Sequence, residues 1–252
     1  MLKLKHAMMI CLIIITINLP HTAFSAPAPA NQTGSEFGAD LRVFKRLNKA
    51  TIMAEAIQRQ ELESFTYARY SLGSYYRQFR NLKMGLFFWN ELGNTYDEDW
   101  VKIDGRWQWK NTRNRAEQSV VLDLTPQTET PIENLIFEWK NRFVHNLSNG
   151  KDLLRTRPGL TYFVMKDDSP LFNLFLQFEN YLPLNYGRKA IYDQWLYFGF
   201  LWHAHQNLLI GPYYAKRNRF WASPDHFSEK FGNEWTTEFK SNFYGLTLDF
   251  IF

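Results

Sequence analysis

Hydrophobic and polar positions alternate with a period of two through much of this chain, the pattern of a strand with one apolar face. The C-terminal stretch shows it best: Tyr244, Leu246, Leu248, Phe250 and Phe252 alternate with Gly245, Thr247, Asp249 and Ile251. Upstream, Phe137, Trp139, Asn141 and Phe143 alternate with Glu138, Lys140 and Arg142. Leu154, Leu160, Tyr162 and Val164 alternate with Arg155, Arg157, Gly159 and Thr161, and Phe172, Leu174, Leu176 and Phe178 with Asn173, Phe175, Gln177 and Glu179. Residues 82–88, 107–109, 120–124 and 196–202 repeat the pattern. Helical periodicity is weak, and residues 47–62, with Ala54, Glu55, Ala56 and Gln58, are the best candidate helix. Turn-forming clusters such as Ser148-Asn149-Gly150 and Asp167-Asp168-Ser169-Pro170 separate the candidate strands.

From residue 39 onward this predicts about twelve strands of roughly 9–14 residues, or about ten if residues 47–62 are not strand. Strands of that length suit a tilted crossing of a bilayer. The expected fold is therefore all-β: a closed antiparallel transmembrane β-barrel. Closure is required in lipid, because an open sheet would leave unpaired backbone groups at its edges. An even strand count places both termini on the periplasmic side. On a count of twelve, residues 219–235 lie outside, and residues 93–102 form a rather long periplasmic turn. A soluble exported sandwich has the same period, but it would bury Phe137, Trp139, Phe198, Phe200 and Trp202.

Composition favours the barrel. Aromatic residues make up 17% of the 252, with Phe 22, Tyr 13 and Trp 9, as expected where rings sit at both membrane interfaces. Mean hydropathy is −0.39, which excludes a multi-spanning helical protein. The start, Met1 to Lys5, then an apolar run and Ala23-Phe24-Ser25-Ala26, matches a secretory signal peptide. The expected organisation is a signal peptide over 1–25, a flexible tether over 26–38 and the barrel over 39–252. The one cysteine, Cys11, lies in the apolar run, so the mature chain would lack disulfides and thiol chemistry. Removing Lys3 and Lys5 from the 29 basic residues leaves 27 against 25 acidic ones. Such a balance excludes an electrostatic nucleic-acid binder. The expected setting is the bacterial outer membrane, with lipid and lipopolysaccharide around the barrel.

With apolar residues facing lipid, the lumen-lining candidates are Arg106, Lys110, Glu138, Lys140, Arg142, Arg155, Arg157, Gln177, Glu179, His203 and Arg217, joined by Arg69 and Arg77. Basic residues outnumber acidic ones in this set, so the lumen would favour a small anionic solute. The alternative is a brace, in which Glu138, Arg155, Arg157 and Glu179 pair across neighbouring strands. His203 and His205 would share a strand face, a usable metal spacing, but no third ligand accompanies them. No Gly-x-Ser-x-Gly and no phosphate loop occurs. No metal or cofactor is expected, and a barrel-type outer-membrane lipid hydrolase is the second functional reading.

Two resemblances add to this. Tyr244, Leu246, Leu248, Phe250 and terminal Phe252 resemble the signal that the barrel-assembly machinery reads in bacterial outer-membrane proteins. The segment Arg155-Thr-Arg-Pro-Gly-Leu-Thr-Tyr162, with Glu138-x-Lys-x-Arg142 before it and Gln177-Phe-Glu179 and Leu209-Ile-Gly-Pro-Tyr-Tyr214 after it, resembles an uncharacterised family of bacterial outer-membrane barrels. More distantly, the chain is similar to the twelve-stranded porins that import acidic oligosaccharides such as oligogalacturonates. The second likeness implies a basic lumen and transfers no individual residue.

Overall fold

The computed structural model describes residues 32–61, 66–93, 100–103, 106–109, 115–187, 190–222 and 236–252. Their regular structure is entirely strand: β1 (Gln32–Leu47), β2 (Ala50–Gln60), β3 (Thr66–Phe79), β4 (Leu82–Leu92), β5 (Trp100–Ile103), β6 (Arg106–Trp109), β7 (Ala116–Glu129), β8 (Leu135–Asn146), β9 (Asp152–Lys166), β10 (Ser169–Pro183), β11 (Asp193–His205), β12 (Leu208–Ala222) and β13 (Thr236–Ile251). All except β5 and β6 form one closed barrel of eleven strands, in the order β1-β13-β12-β11-β10-β9-β8-β7-β4-β3-β2. The barrel strands run from 11 to 16 residues. At about 3.3 Å per residue and a tilt of ~45°, even the shortest covers roughly 25 Å of height, the thickness of an apolar band in outer-membrane barrels.

An odd count decides how the barrel closes. β1 pairs with β13 in parallel, from Gln32↔Phe239 to Phe44↔Ile251, whereas every other barrel pair is antiparallel. The expectation of an even, wholly antiparallel barrel with both termini on one side is corrected accordingly. Gln32 starts β1 level with Phe239, and the chain leaves β13 at the opposite end. There the Phe252 N–H donates to Phe44 O at 2.8 Å, and Arg46 N–H donates to Phe252 O at 2.8 Å. Parallel pairing is slightly weaker per residue. Arg42 offsets this across the seam, its Nε and Nη2 donating to Asp249 Oδ1 and Oδ2 at 2.6 and 3.0 Å.

Three further expectations change. The described part of residues 47–62 is not helical: β2 occupies most of it and pairs with β1 and β3 along its length. Their helix-favouring side chains are overridden by an inward–outward alternation that the barrel can use on both faces. The barrel also begins at Gln32, so the second half of the expected tether is strand. Finally, residues 106–109 do not cross. They form a hairpin with β5 in which each strand has four residues, too short to span. β4 pairs directly with β7 instead, from Leu82↔Pro126 to Leu92↔Ala116. With that strand removed, residues 93–115 join the other long connections, 184–192 and 223–235, at one end. The opposite end has short turns, as at 48–49, 80–81 and 206–207. Asp167 and Asp168 make the two-residue turn there with φ of 50° and 60°, the left-handed pair that matches strand twist in a hairpin. The expected signal peptide lies outside the described residues.

The faces are inverted relative to a soluble protein. Leu72, Leu86, Leu122, Leu124, Trp139, Phe198 and Trp202 point outward and are exposed, Phe198 at 57%. Arg69, Glu91, Asp123, Arg142, Arg155, Glu179, Asp193 and Arg217 point inward and are buried. A sandwich with those rings in its core is thereby excluded.

Candidate functional site

Inward side chains from all eleven barrel strands meet inside a single sheet, so the interior is where chemistry is concentrated. It is not purely polar. Two aromatic clusters fill opposite sides of it. One contains Met53, Tyr75, Phe87, Trp89, Val121 and Val144, and the other Trp195, Tyr197, Tyr213, Ala215 and Phe243. In the second, Trp195 stacks on Tyr197 at 5.4 Å and Tyr213 on Phe243 at 5.6 Å. The space comes from glycines on the same inward face. A Cβ at Gly245 would run into the Tyr213 ring, and one at Gly199 would lie 2.7 Å from Phe175.

Three cavities adjoin along the axis. The one at the long-connection end holds about 80 Å³ and is walled by Glu61, Glu91, Asp193, Arg217 and Arg219, among others. The central cavity holds about 420 Å³, with eight basic and five acidic side chains in its wall. The third, about 560 Å³, opens at the short-turn end beside Asn48, Lys49 and Arg77. The first two share Arg59, Arg69 and Arg155. The second and third share Phe44, Tyr75, Lys83 and Asp249.

Ion pairs across strands hold most of these charges. Arg217 Nη1 donates to Glu36 Oε2 at 3.1 Å and Glu61 Oε1 at 3.0 Å, and Nη2 donates to Asp193 Oδ2 at 2.8 Å. One guanidinium thus ties β12 to β1, to β11 and to the end of β2. Arg142 Nε donates to Asp123 Oδ2 at 3.0 Å, Arg155 Nη2 to Glu179 Oε1 at 3.0 Å, and Arg69 Nη2 to Glu55 Oε2 at 2.9 Å. Such fully desolvated pairs hold register, because removing either partner strands the other charge. Arg59 differs: among the described residues it makes no ion pair. Its guanidinium lies 5.0 Å from the Trp195 ring and 5.4 Å from Phe243, so ring faces rather than a bonded carboxylate hold it.

The sequence-derived candidates are placed as follows. Glu138, Lys140, Arg142, Arg155, Arg157, Gln177 and Glu179 line the central cavity, and Arg217 lines the narrow end cavity. His203 lies nearby with its Nε2 3.1 Å from Asn173 Oδ1. A bulge between His203 and His205 breaks the shared face expected of that pair. Among the described residues no cluster of metal-ligating side chains occurs. Arg106 belongs to the β5–β6 hairpin rather than the barrel wall, and Lys110 lies outside the described residues. Tyr244 and Leu246 of the C-terminal pattern are outward and exposed, and Leu248, Phe250 and Phe252 are half-buried.

Sequence reasoning missed most of the acidic complement. Glu36, Glu55 and Glu61 sit on segments that read as tether or helix, and Asp40 on a stretch with no assigned alternation, so they escaped the inward count. The inward aromatics were missed for another reason. Alternating Phe87, Phe88 and Trp89 is aromatic on both faces, and composition alone assigned the rings to the outside.

No family model, no curated protein and no solved structure matches this chain. The fold and its site therefore define the class: a closed β-barrel, apolar outside and densely charged inside, compatible with an outer-membrane barrel protein.

Proposed function

We propose that the protein is a bacterial outer-membrane β-barrel whose interior is a narrow conduit preferring small anions. The observation that carries this is the junction of the end and central cavities at Arg59, Arg69 and Arg155. Any solute following the axis passes three guanidinium groups there, one of them without a carboxylate partner. In a water-poor constriction, fixed positive charge lowers the barrier for anions and raises it for cations. The exposed apolar outer face supports the membrane setting, and the resemblance to porins for acidic oligosaccharides accords with a basic interior.

A second reading is favoured by the Arg217 cluster. With a cavity of only about 80 Å³ at that end, the network acts as a brace that closes the lumen. Single-channel recording in planar bilayers under a salt gradient separates the two. Discrete steps with a reversal potential on the anion side support the conduit, whereas a folded barrel that never conducts supports the brace. In a conducting barrel, Arg59→Gln is expected to lower the anion-to-cation permeability ratio severalfold, because it removes a guanidinium charge at the junction while leaving every ion pair intact.

A further inference from the structure

On β8 and β9, inward residues face each other in register: Arg142↔Arg155 and, one rung nearer the short-turn end, Lys140↔Arg157. Like charges directly opposite each other destabilise a sheet. The first rung is neutralised, Arg142 by Asp123 and Arg155 by Glu179. On the second, among the described residues neither Lys140 nor Arg157 has a carboxylate within ion-pair distance. The nearest acids, Asp123, Glu138 and Glu179, are already engaged, Asp123 by Arg142. Glu138, next on the same face of β8, accepts from Lys83 Nζ at 3.3 Å. Glu179 has one oxygen on Arg155 and the other on the Tyr197 hydroxyl at 3.2 Å.

Across both rungs and their partners, five basic side chains (Lys83, Lys140, Arg142, Arg155 and Arg157) meet three carboxylates (Asp123, Glu138 and Glu179). The excess is two positive charges. Both unpaired cations face the cavity of about 420 Å³, with the Gln177 amide in its wall. Gly159 follows Arg157 on that face and leaves the surface beside the rung without a side chain, Gln177 Cγ closing to 2.7 Å of where its Cβ would be.

We infer that Lys140 and Arg157, with Gln177 beside them, form a binding site for a small oxyanion carrying two negative charges. Such an ion matches the excess charge. A guanidinium takes an oxyanion through paired N–H donors, an ammonium adds a point charge, and an amide contributes one more donor. A phosphate and a short dicarboxylate share this chemistry. The inference rests on the reading of the interior as accessible to anions, and it goes further by naming a station where one is held.

The test uses the full mature chain refolded in detergent at low ionic strength, titrated with inorganic phosphate and, separately, malonate. Chloride at matched ionic strength is the control. Wild type is expected to show a saturable rise in melting temperature with one or both dianions and none with chloride; which of them saturates identifies the ligand source. Lys140→Gln/Arg157→Gln is expected to weaken that response at least tenfold. In anion-poor buffer it should melt at or above wild type, because the repulsion is gone. Lys140→Arg should retain the response.

A wild-type response no different from chloride, or one undiminished in the double variant, overturns the site. A double variant that melts well below wild type makes the pair a structural brace and overturns it too. Conduction is scored separately. A barrel that binds a dianion but never conducts keeps the site and loses the conduit. One that conducts anions but shows no saturable binding loses the site alone.

Discussion

Arg217 is 4% exposed and surrounded by Glu36, Glu61 and Asp193, with the Trp195 ring 4.3 Å from its guanidinium. Truncating it would take one guanidinium from three crowded carboxylates, leaving Arg219 to serve both Glu61 and Asp193, and breaking one partner out of a buried ionic cluster typically costs about 3–5 kcal/mol. Arg217→Gln is expected to destabilise the barrel by that amount, read as a lower urea midpoint for unfolding from lipid vesicles. A loss below about 1 kcal/mol would mean that water reaches the cluster and screens it. At this scale the sequence was informative about direction and silent about partners. Alternation placed Arg142, Arg155 and Glu179 inward, but which carboxylate meets which guanidinium depends on the register of strands far apart in the chain. Arg217 and Glu36 are separated by 181 positions, so no local pattern connects them.

Elements show the same division. β8, β9, β10, β11 and β13 were legible because each carries an apolar outward face in strict alternation. The β5–β6 hairpin misled because Trp107 and Trp109 alternate with Arg106 and Gln108 as a crossing strand would. Only its length of four residues and the direct β4–β7 ladder show that it stands apart. Replacing residues 94–114 with a short turn is therefore expected to leave a folded barrel. Unchanged strand content by circular dichroism and a retained heat-dependent gel shift would check this; an unfolded product would mean that the hairpin contributes to the β4–β7 pairing. At the seam, Asp249→Asn removes the charge that Arg42 bridges to. A loss of about 1.5–3 kcal/mol is expected, the range for a hydrogen bond to a charged group. Asp123→Asn should cost at least as much, since its side chain is fully buried against Arg142.

For the molecule as a whole, the decisive property is which side of the sheet water touches. Leu122 sits mid-strand on β7, outward and 53% exposed, between Leu86 and Phe143 on the neighbouring strands. If that face meets hydrocarbon, Leu122→Arg is expected to cost about 2–4 kcal/mol of folding stability in vesicles. If it meets water, the same change would stay within about 0.5 kcal/mol, as surface substitutions usually do. Folding titrations of the two proteins into vesicles of one composition measure the difference, and a value near zero would sink the membrane setting.

The sequence by itself determined that this chain is all strand in its crossing elements, that one face of each is apolar, and that guanidinium and carboxylate groups share the other. Those features follow from a side-chain period of two, which is local and survives any tertiary arrangement. Tertiary structure alone decided the number eleven, the parallel seam and the pairing of charges. Each depends on closure, and closure is a property of the whole ring. Strand lengths and outward residues are compatible with ten, eleven or twelve strands, and the choice falls to where β1 meets β13. The same step brings Lys140 opposite Arg157 and leaves them unpaired, because cross-strand register, unlike alternation, is written in no single segment.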